Sequence, residues 1–149
     1  MDIVYRAARA QDVAACIDIR GKTRENAFSE QDLAAVGVTL ESWGAAVRDG
    51  ALPGYVATVQ GRICGYCFGD RETGEIVVLA LLPEYEGRGA GKTLLGLVIR
   101  DLKELGFTRL FLGCATDPAV RSHGFYRRLG WRSTGTFDDA NDEVLEYFP

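Results

Sequence analysis

Residues 84 to 96 read EYEGRGAGKTLLG, with glycines at 87, 89 and 91 followed at once by Lys92 and Thr93. A glycine-rich turn that opens a helix is suited to holding phosphate. Glycine lets the main chain turn tightly and approach an anion closely. Successive N–H groups from 87 to 92 would then converge at the positive end of the helix dipole, and Arg88 and Lys92 add charge at the same end. The plainer reading is that the glycines only shape a strand-to-helix turn. Three of them beside an arginine and a lysine favour anion binding.

Two nucleotide readings fail on register. A triphosphate loop needs GxxxxGK[ST]; Gly91, Lys92 and Thr93 supply its second half, but position 86, where the first glycine belongs, is Glu. The loop also follows a hairpin and a third strand, where a triphosphate loop should follow a parallel strand of a βαβ unit. In a dinucleotide fingerprint, GxGxxG, the sixth residue would be glycine; counted from Gly87 it is Lys92, and from Gly89 it is Leu94.

Other reactive side chains are few. Cys64 and Cys67 form a CxxC in RICGYCFG, and Cys16 and Cys114 complete the four cysteines. The CxxC stretch reads as a strand, where an odd spacing sends the two thiols to opposite faces. With one histidine in the chain and no second CxxC, zinc is not expected. Buried, reduced thiols are the expectation, since free Cys packs as a small hydrophobe.

Composition narrows the class further. The 149 residues suit one domain, 1–149, large enough to bury a core. An apolar fraction of 47% and a charged fraction of 26% are ordinary for a globular protein. A net charge of −4 and a pI near 5.0 argue against nucleic acid and suit a cationic substrate. No apolar run approaches the ~18 residues that span a bilayer, and MDIVYRAARAQD lacks a signal-peptide core. No membrane partner and a cytoplasmic address are expected.

The elements that must position these residues can be read in order. IVYRAA (3–8) suggests a strand, Gln11 to Arg20 a helix, and Ser29 with Asp32 the capped start of another. Thr39 to Arg48 is helical. YVATVQGRICGYCFG makes a hairpin about Gln60 and Gly61. EIVVLALLP (75–83) reads as a central strand buried on both faces. The helix of 91–105 carries Leu94, Leu95, Val98, Ile99, Leu102 and Leu105 on one stripe. RLFLGC (109–114) is a strand, and Asp117 and Pro118 open a helix reaching Leu129. WRSTGTF and EVLEYF pair across DDAND. The order β-α-α-β-β-β-α-β-α-β-β describes a mixed sheet flanked by helices.

The span EIVVLALLPEYEGRGAGKTLL resembles motif A of the GNAT superfamily of N-acetyltransferases, in which a strand runs into [QR]xxGx[GA] and a helix. Gly89 and Gly91 match its glycines. Downstream, HGFYRRLGW (123–131) resembles motif B. With the element order, the resemblance covers nearly the whole chain; the first 50 residues match in pattern only. The [QR] position is Glu86, whose family counterpart contributes mainly its backbone N–H, so its carboxylate is expected to point outward.

The resemblance implies a mixed α/β (α+β) acyl-CoA N-acyltransferase fold. Its sheet is central, twisted, mostly antiparallel and of about seven strands. It implies acetyl-CoA as cosubstrate, no metal, and a V-shaped opening between strands 75–83 and 109–114. Residues Glu86, Gly87, Arg88, Gly89, Ala90, Gly91, Lys92 and Thr93 would hold the diphosphate. A bulge in the first strand would free main-chain groups of Leu79 and Leu81 for the pantetheine arm and the thioester oxygen. Ser122 would add one hydrogen bond. Tyr126 matches the motif tyrosine that protonates the departing sulfur; a phenol of pKa about 10 is protonated at neutral pH. Packing of Phe125 and Tyr126 in the core is the structural alternative. Glu75 is similar to the base of the histone acetyltransferase branch, with Asp70 and Glu72 in reserve and bulk water as a further route. His123 reads as a helix-surface or capping residue, the acceptor channel being its alternative.

Acceptor choice would fall to GKTRENAFSEQD (21–32), with Arg24, Glu25, Asn26 and Phe28 available, and to the acidic tip DDANDE (138–143), otherwise a solvated turn. The expected function is acetyl transfer to a primary amine of a small molecule or protein. A non-catalytic CoA-binding or interaction module of the same fold is the alternative. A homodimer follows by resemblance.

Overall fold

The computed structural model describes residues 2–24 and 27–149. Its strands are β1 (Val4–Ala7), β2 (Gly54–Val59), β3 (Arg62–Gly69), β4 (Ile76–Leu81), β5 (Leu110–Cys114), β6 (Arg132–Phe137) and β7 (Glu143–Tyr147). Its α-helices are α1 (Val13–Arg20), α2 (Glu30–Ala35), α3 (Leu40–Arg48), α4 (Ala90–Glu104) and α5 (Arg121–Arg128). Three helices therefore lie between β1 and β2, matching the three helical stretches read individually, although the condensed order counted two. Local chemistry separates the second from the third. Ser29 and Asp32 exchange capping hydrogen bonds at 3.1 and 3.0 Å, and Thr39 with Ser42 does the same at 3.1 and 2.9 Å, starting α2 and α3 separately.

The strands form a four-stranded sheet, β1-β2-β3-β4, and a three-stranded sheet, β5-β7-β6, and among the described residues the ladders within them are antiparallel. The two sheets meet only at one parallel bridge among the described residues, Glu75 with Phe111. Beyond that bridge β4 and β5 part. The β2–β3 turn has left-handed Gln60 and Gly61, φ 52° and 79°, as a two-residue hairpin requires.

Two cores sandwich the first sheet. On one face α4 buries Leu94, Leu95, Val98 and Leu102, each at most 1% exposed, against Ala57, Cys67 and Ile76. Each such side chain contributes about 2 kcal/mol, so α4 is firmly seated. Leu105, expected on the buried stripe, instead caps that helix and stays exposed. On the other face Val13, Cys16 and Ile17 of α1 and Trp43 of α3 pack on Val56, Tyr66 and Phe68.

Two bulges decide which side chains meet which core. In β3 the register to β2 shifts between Ala57 and Thr58, opposite Cys64. Cys64 and Cys67 consequently join the same buried cluster, correcting the expectation of opposite faces. All four cysteines are free and buried, and burial pushes the Cys16 thiol up to about 12. In β4 the register to β3 skips Val77, since Gly69 faces Ile76 and Phe68 faces Val78. Ile76, Leu79 and Leu81 thus share the α4 side, while Val78 and Ala80 face α1 and α3. Val77 is left 45% exposed. The central strand is therefore not buried on both faces: β5 diverges from it and uncovers one edge.

Candidate active site

The divergence of β4 and β5 opens a cleft of about 470 Å³ lined by both strands, the α1–α2 segment, α5 and the β6–β7 loop. Leu82 N–H donates to Cys64 C=O at 2.9 Å. Antiparallel alternation then turns the main-chain groups of Ala80 and Val78 toward β3 and those of Leu79 and Leu81 away from it, toward the cleft. Both leucines line the opening.

At the mouth, Gly87 and Gly89 have φ of 78° and 79°, the left-handed region that favours glycine, and nothing stands within 4 Å of a Cβ at either. Gly89 is the N-cap of α4 and has no side-chain capping bond. The first intrahelical bond there is Thr93 N–H to Gly89 C=O, 3.1 Å, so the amides of Gly89, Ala90, Gly91 and Lys92 lack intrahelical acceptors. Gly91 differs from its neighbours: it is helical and buried, and a Cβ there would touch Phe125 Cζ at 3.5 Å and Leu81 Cδ1 at 3.6 Å. It joins the two glycine- and aromatic-bearing motifs by packing. Arg88 lies over the Tyr85 ring at 5.5 Å, and Lys92 and Thr93 are exposed on the first turn of α4. The turn and helix start are open, cationic and rich in unpaired donors, which fits a diphosphate.

Glu86 overturns one expectation. Its side chain is 14% exposed and points into the cleft, held by Arg24 Nε at 3.0 Å and Arg121 Nη1 at 3.1 Å. Two guanidinium groups compensate the burial of its charge. Its amide donates to Pro83 C=O at 3.3 Å, within the turn, so the donors for an anion begin at Gly87.

Tyr126 and Ser122 project from α5 into the cleft. Tyr126 is 8% exposed and packs edge-on to Phe125 at 5.1 Å and Trp131 at 6.0 Å. Core packing and cleft lining thus coexist in one residue. Burial, reinforced by the neighbouring Cys67 and Cys114, pushes its phenol far above the ordinary tyrosine range. Helix α5 begins at Arg121, later than expected: Asp117 instead accepts from Ala119 N–H at 2.9 Å in a preceding turn.

Glu75 sits at the closed end of the V, paired with Phe111, and is not part of the cleft lining. Burial first, then Asp70 and Asp138, raise its carboxyl above the usual range. The acidic tip is less detached than a solvated turn: Asp142 and Ala140 line the cleft, and burial, followed by Asp138, raises the Asp142 carboxyl. Gly113 permits this approach, because a Cβ there would stand 2.6 Å from Asp138 Oδ2. Asp142 is the cleft acid that the sequence did not single out; its only signal was the acidic run. His123, on α5, is half-buried and outside the lining. Arg24 and Phe28 do line the cleft, whereas Glu25 and Asn26 lie outside the described residues.

A splayed β4–β5 pair with a bulged first strand, an uncapped helix at its mouth and a tyrosine on its wall defines an acyl-CoA N-acyltransferase fold. The chain belongs to the acetyltransferase (GNAT) family, whose model matches residues 13–131. It is similar to an uncharacterised N-acetyltransferase of Mycobacterium tuberculosis, 35% identical over 79 residues, 51% of this chain and 50% of the relative. An amino-acid acetyltransferase of Aeromonas salmonicida is 27% identical over 127 residues, 85% of this chain and 26% of that protein. The chain thus spans about half the length, or less, of these curated relatives. In fold it is similar to the PaiA N-acetyltransferase of Thermoplasma acidophilum solved with coenzyme A, at 19% identity, TM-score 0.72 and full coverage of both chains. It is likewise similar to a Salmonella typhimurium putative acetyltransferase solved with acetyl-CoA, at 18% identity, TM-score 0.77, and 99% and 94% coverage.

No helix among the described residues is long and apolar enough to cross a membrane.

Proposed function

We propose that this chain transfers an acetyl group from acetyl-CoA to a primary amine by direct attack, with Tyr126 as general acid. The observation that carries the proposal is the cleft, where outward main-chain groups of β4 and the Tyr126 phenol share one opening with Glu86, the residue that leads into the glycine turn and the uncapped start of α4. Amides from Gly87 to Lys92, with Arg88, Lys92 and Thr93, would hold the diphosphate. Leu79 and Leu81 would hold the pantetheine arm and polarise the acyl oxygen through their main chain, and Ser122 would add a hydrogen bond. The two relatives solved with coenzyme A or acetyl-CoA support the choice of cosubstrate.

The thioester supplies the activated acetyl group. The amine nitrogen forms its bond to the acyl carbon as the carbon–sulfur bond breaks, and Tyr126 gives its phenolic proton to the sulfur. Burial keeps that proton in place until then. The amine's surplus proton leaves toward the acidic end of the cleft; Glu75, acting through water, is the proposed base, and Asp142 stands nearer the opening. The resulting charges cancel when the tyrosinate recovers a proton from solvent.

The test is Tyr126→Phe in an amine screen read by thiol release. Turnover should fall about 10²- to 10⁴-fold, while coenzyme A raises the Tm of both proteins alike. Thermal stabilisation by coenzyme A without thiol release for any amine would support the non-catalytic module instead.

A further inference from the structure

Beside the cleft lies a second cavity of about 310 Å³, floored by Phe68 and walled by Leu33 of α2 and Trp43 and Ala46 of α3. Its size is that of a small-ligand pocket. Arg20, Phe28, Val77 and Val78 line both cavities, so the two are continuous across the bulge of β4. Val77, an apolar residue left exposed near the start of β4, lies at the junction. Trp43 is 7% exposed, and its indole N–H has no partner among the described residues. No carboxylate appears among the described lining residues.

We infer that this pocket receives the carbon substituent of the acceptor, so the substrate is a primary monoamine bearing a compact branched or aromatic group. The inference rests on the acetyl-transfer reading above for its reaction, though not for its binding. An amine nitrogen held in the cleft beside Val77 and Val78, which line both cavities, would direct its substituent into the pocket. The pocket offers that substituent hydrocarbon and aromatic walls. A second ammonium, as in a diamine, would meet Arg20 and no counter-charge.

The experiment compares propylamine, isoamylamine, phenethylamine and 1,4-diaminobutane with acetyl-CoA. We expect kcat/KM to rise at least about 10-fold from propylamine to isoamylamine or phenethylamine, with the diamine no better than propylamine. Ala46→Phe fills the pocket and should bring phenethylamine down to the propylamine level. Leu52→Ala enlarges it and should move the optimum toward 4-tert-butylbenzylamine. Retention of the coenzyme A–induced rise in Tm reports that each variant is folded. Occupancy is also read without turnover: phenethylamine should change the tryptophan fluorescence of the coenzyme A–loaded protein saturably, and not in Ala46→Phe. Saturable binding without thiol release upholds the pocket and defeats the transfer reaction. A flat amine series, a preference for the diamine, or equal effects of the variants on every amine, overturns the pocket assignment.

Discussion

Glu86 Oε2 lies 3.1 Å from Arg121 Nη1, linking the turn before α4 to the first residue of α5 across the mouth of the cleft. Arg24, from the far side, closes on the same carboxylate at 3.0 Å. An anion thus occupies guanidinium groups at the entrance where a phosphate-bearing ligand would arrive. Replacing Glu86 by Gln releases both cations from that partner. The expected result is a coenzyme A Kd lower by about 3- to 10-fold at low salt, on the order of 1 kcal/mol. Titration calorimetry measures it, and the gain should shrink as salt is raised.

Two glycines of the same helix should respond in opposite directions. Gly89 has φ 79°, so Gly89→Ala should cost about 1–2 kcal/mol of stability and weaken coenzyme A binding. Gly96 is exposed within α4, its φ is not left-handed, and a Cβ there meets nothing within 4 Å. Gly96→Ala should stabilise by about 0.5–1 kcal/mol. Urea denaturation separates the two.

Arg6 grips Asp12 through two hydrogen bonds of 2.8 and 2.9 Å, and the Arg9 amide adds a third at 2.8 Å. Arg6 chiefly holds this buried carboxyl below its ordinary range. A depressed carboxylate contributes stability above its unfolded pKa of about 4, and loses it as pH falls through the lower folded value. Asp12→Asn should therefore cost about 2 kcal/mol near pH 7. The difference between variant and parent should narrow in acid, as followed by melting at a series of pH values.

Asp138 helps to raise the carboxyls of both Glu75 and Asp142, after burial in each and after Asp70 at Glu75. A base must be ionised, so a raised pKa moves the acid limb of the rate profile upward. Asp138→Asn keeps the oxygen that accepts from Ala140 and Asp142 N–H at 2.9 and 3.0 Å while removing the charge. The acid limb of kcat/KM should then move to lower pH. An unmoved limb would count against either carboxylate as the proton acceptor.

Local codes carried far into this fold. Capping boxes at Ser29 and Thr39, the Gln60–Gly61 hairpin and the apolar stripe of α4 act over a few residues, and each forms where its residues indicate. The expected V between the fourth and fifth strands is present, and Leu79, Leu81, Ser122 and Tyr126 meet in it. Periodicity failed where register did. A strand pattern has no symbol for an extra residue, so simple alternation puts Cys64 on the wrong face and Val77 in the interior. Charge was misjudged at Glu86 because its partners, Arg24 and Arg121, lie 62 and 35 positions away. Asp142 was hidden for a similar reason: only folding brings the hairpin tip over Gly113.

The kink at Val77 makes the length of β4 a functional quantity. Removing that one residue would restore regular pleating and still leave Ile76, Leu79 and Leu81 on the α4 side, because Gly69 already faces Ile76 and Phe68 already faces Val78; what it would erase is the outward step that exposes Val77. Deletion of Val77 should consequently preserve folding while altering the cleft, whereas deletion of the paired, buried Ala80 should cost stability, a contrast that a deletion scan would expose without any knowledge of the substrate.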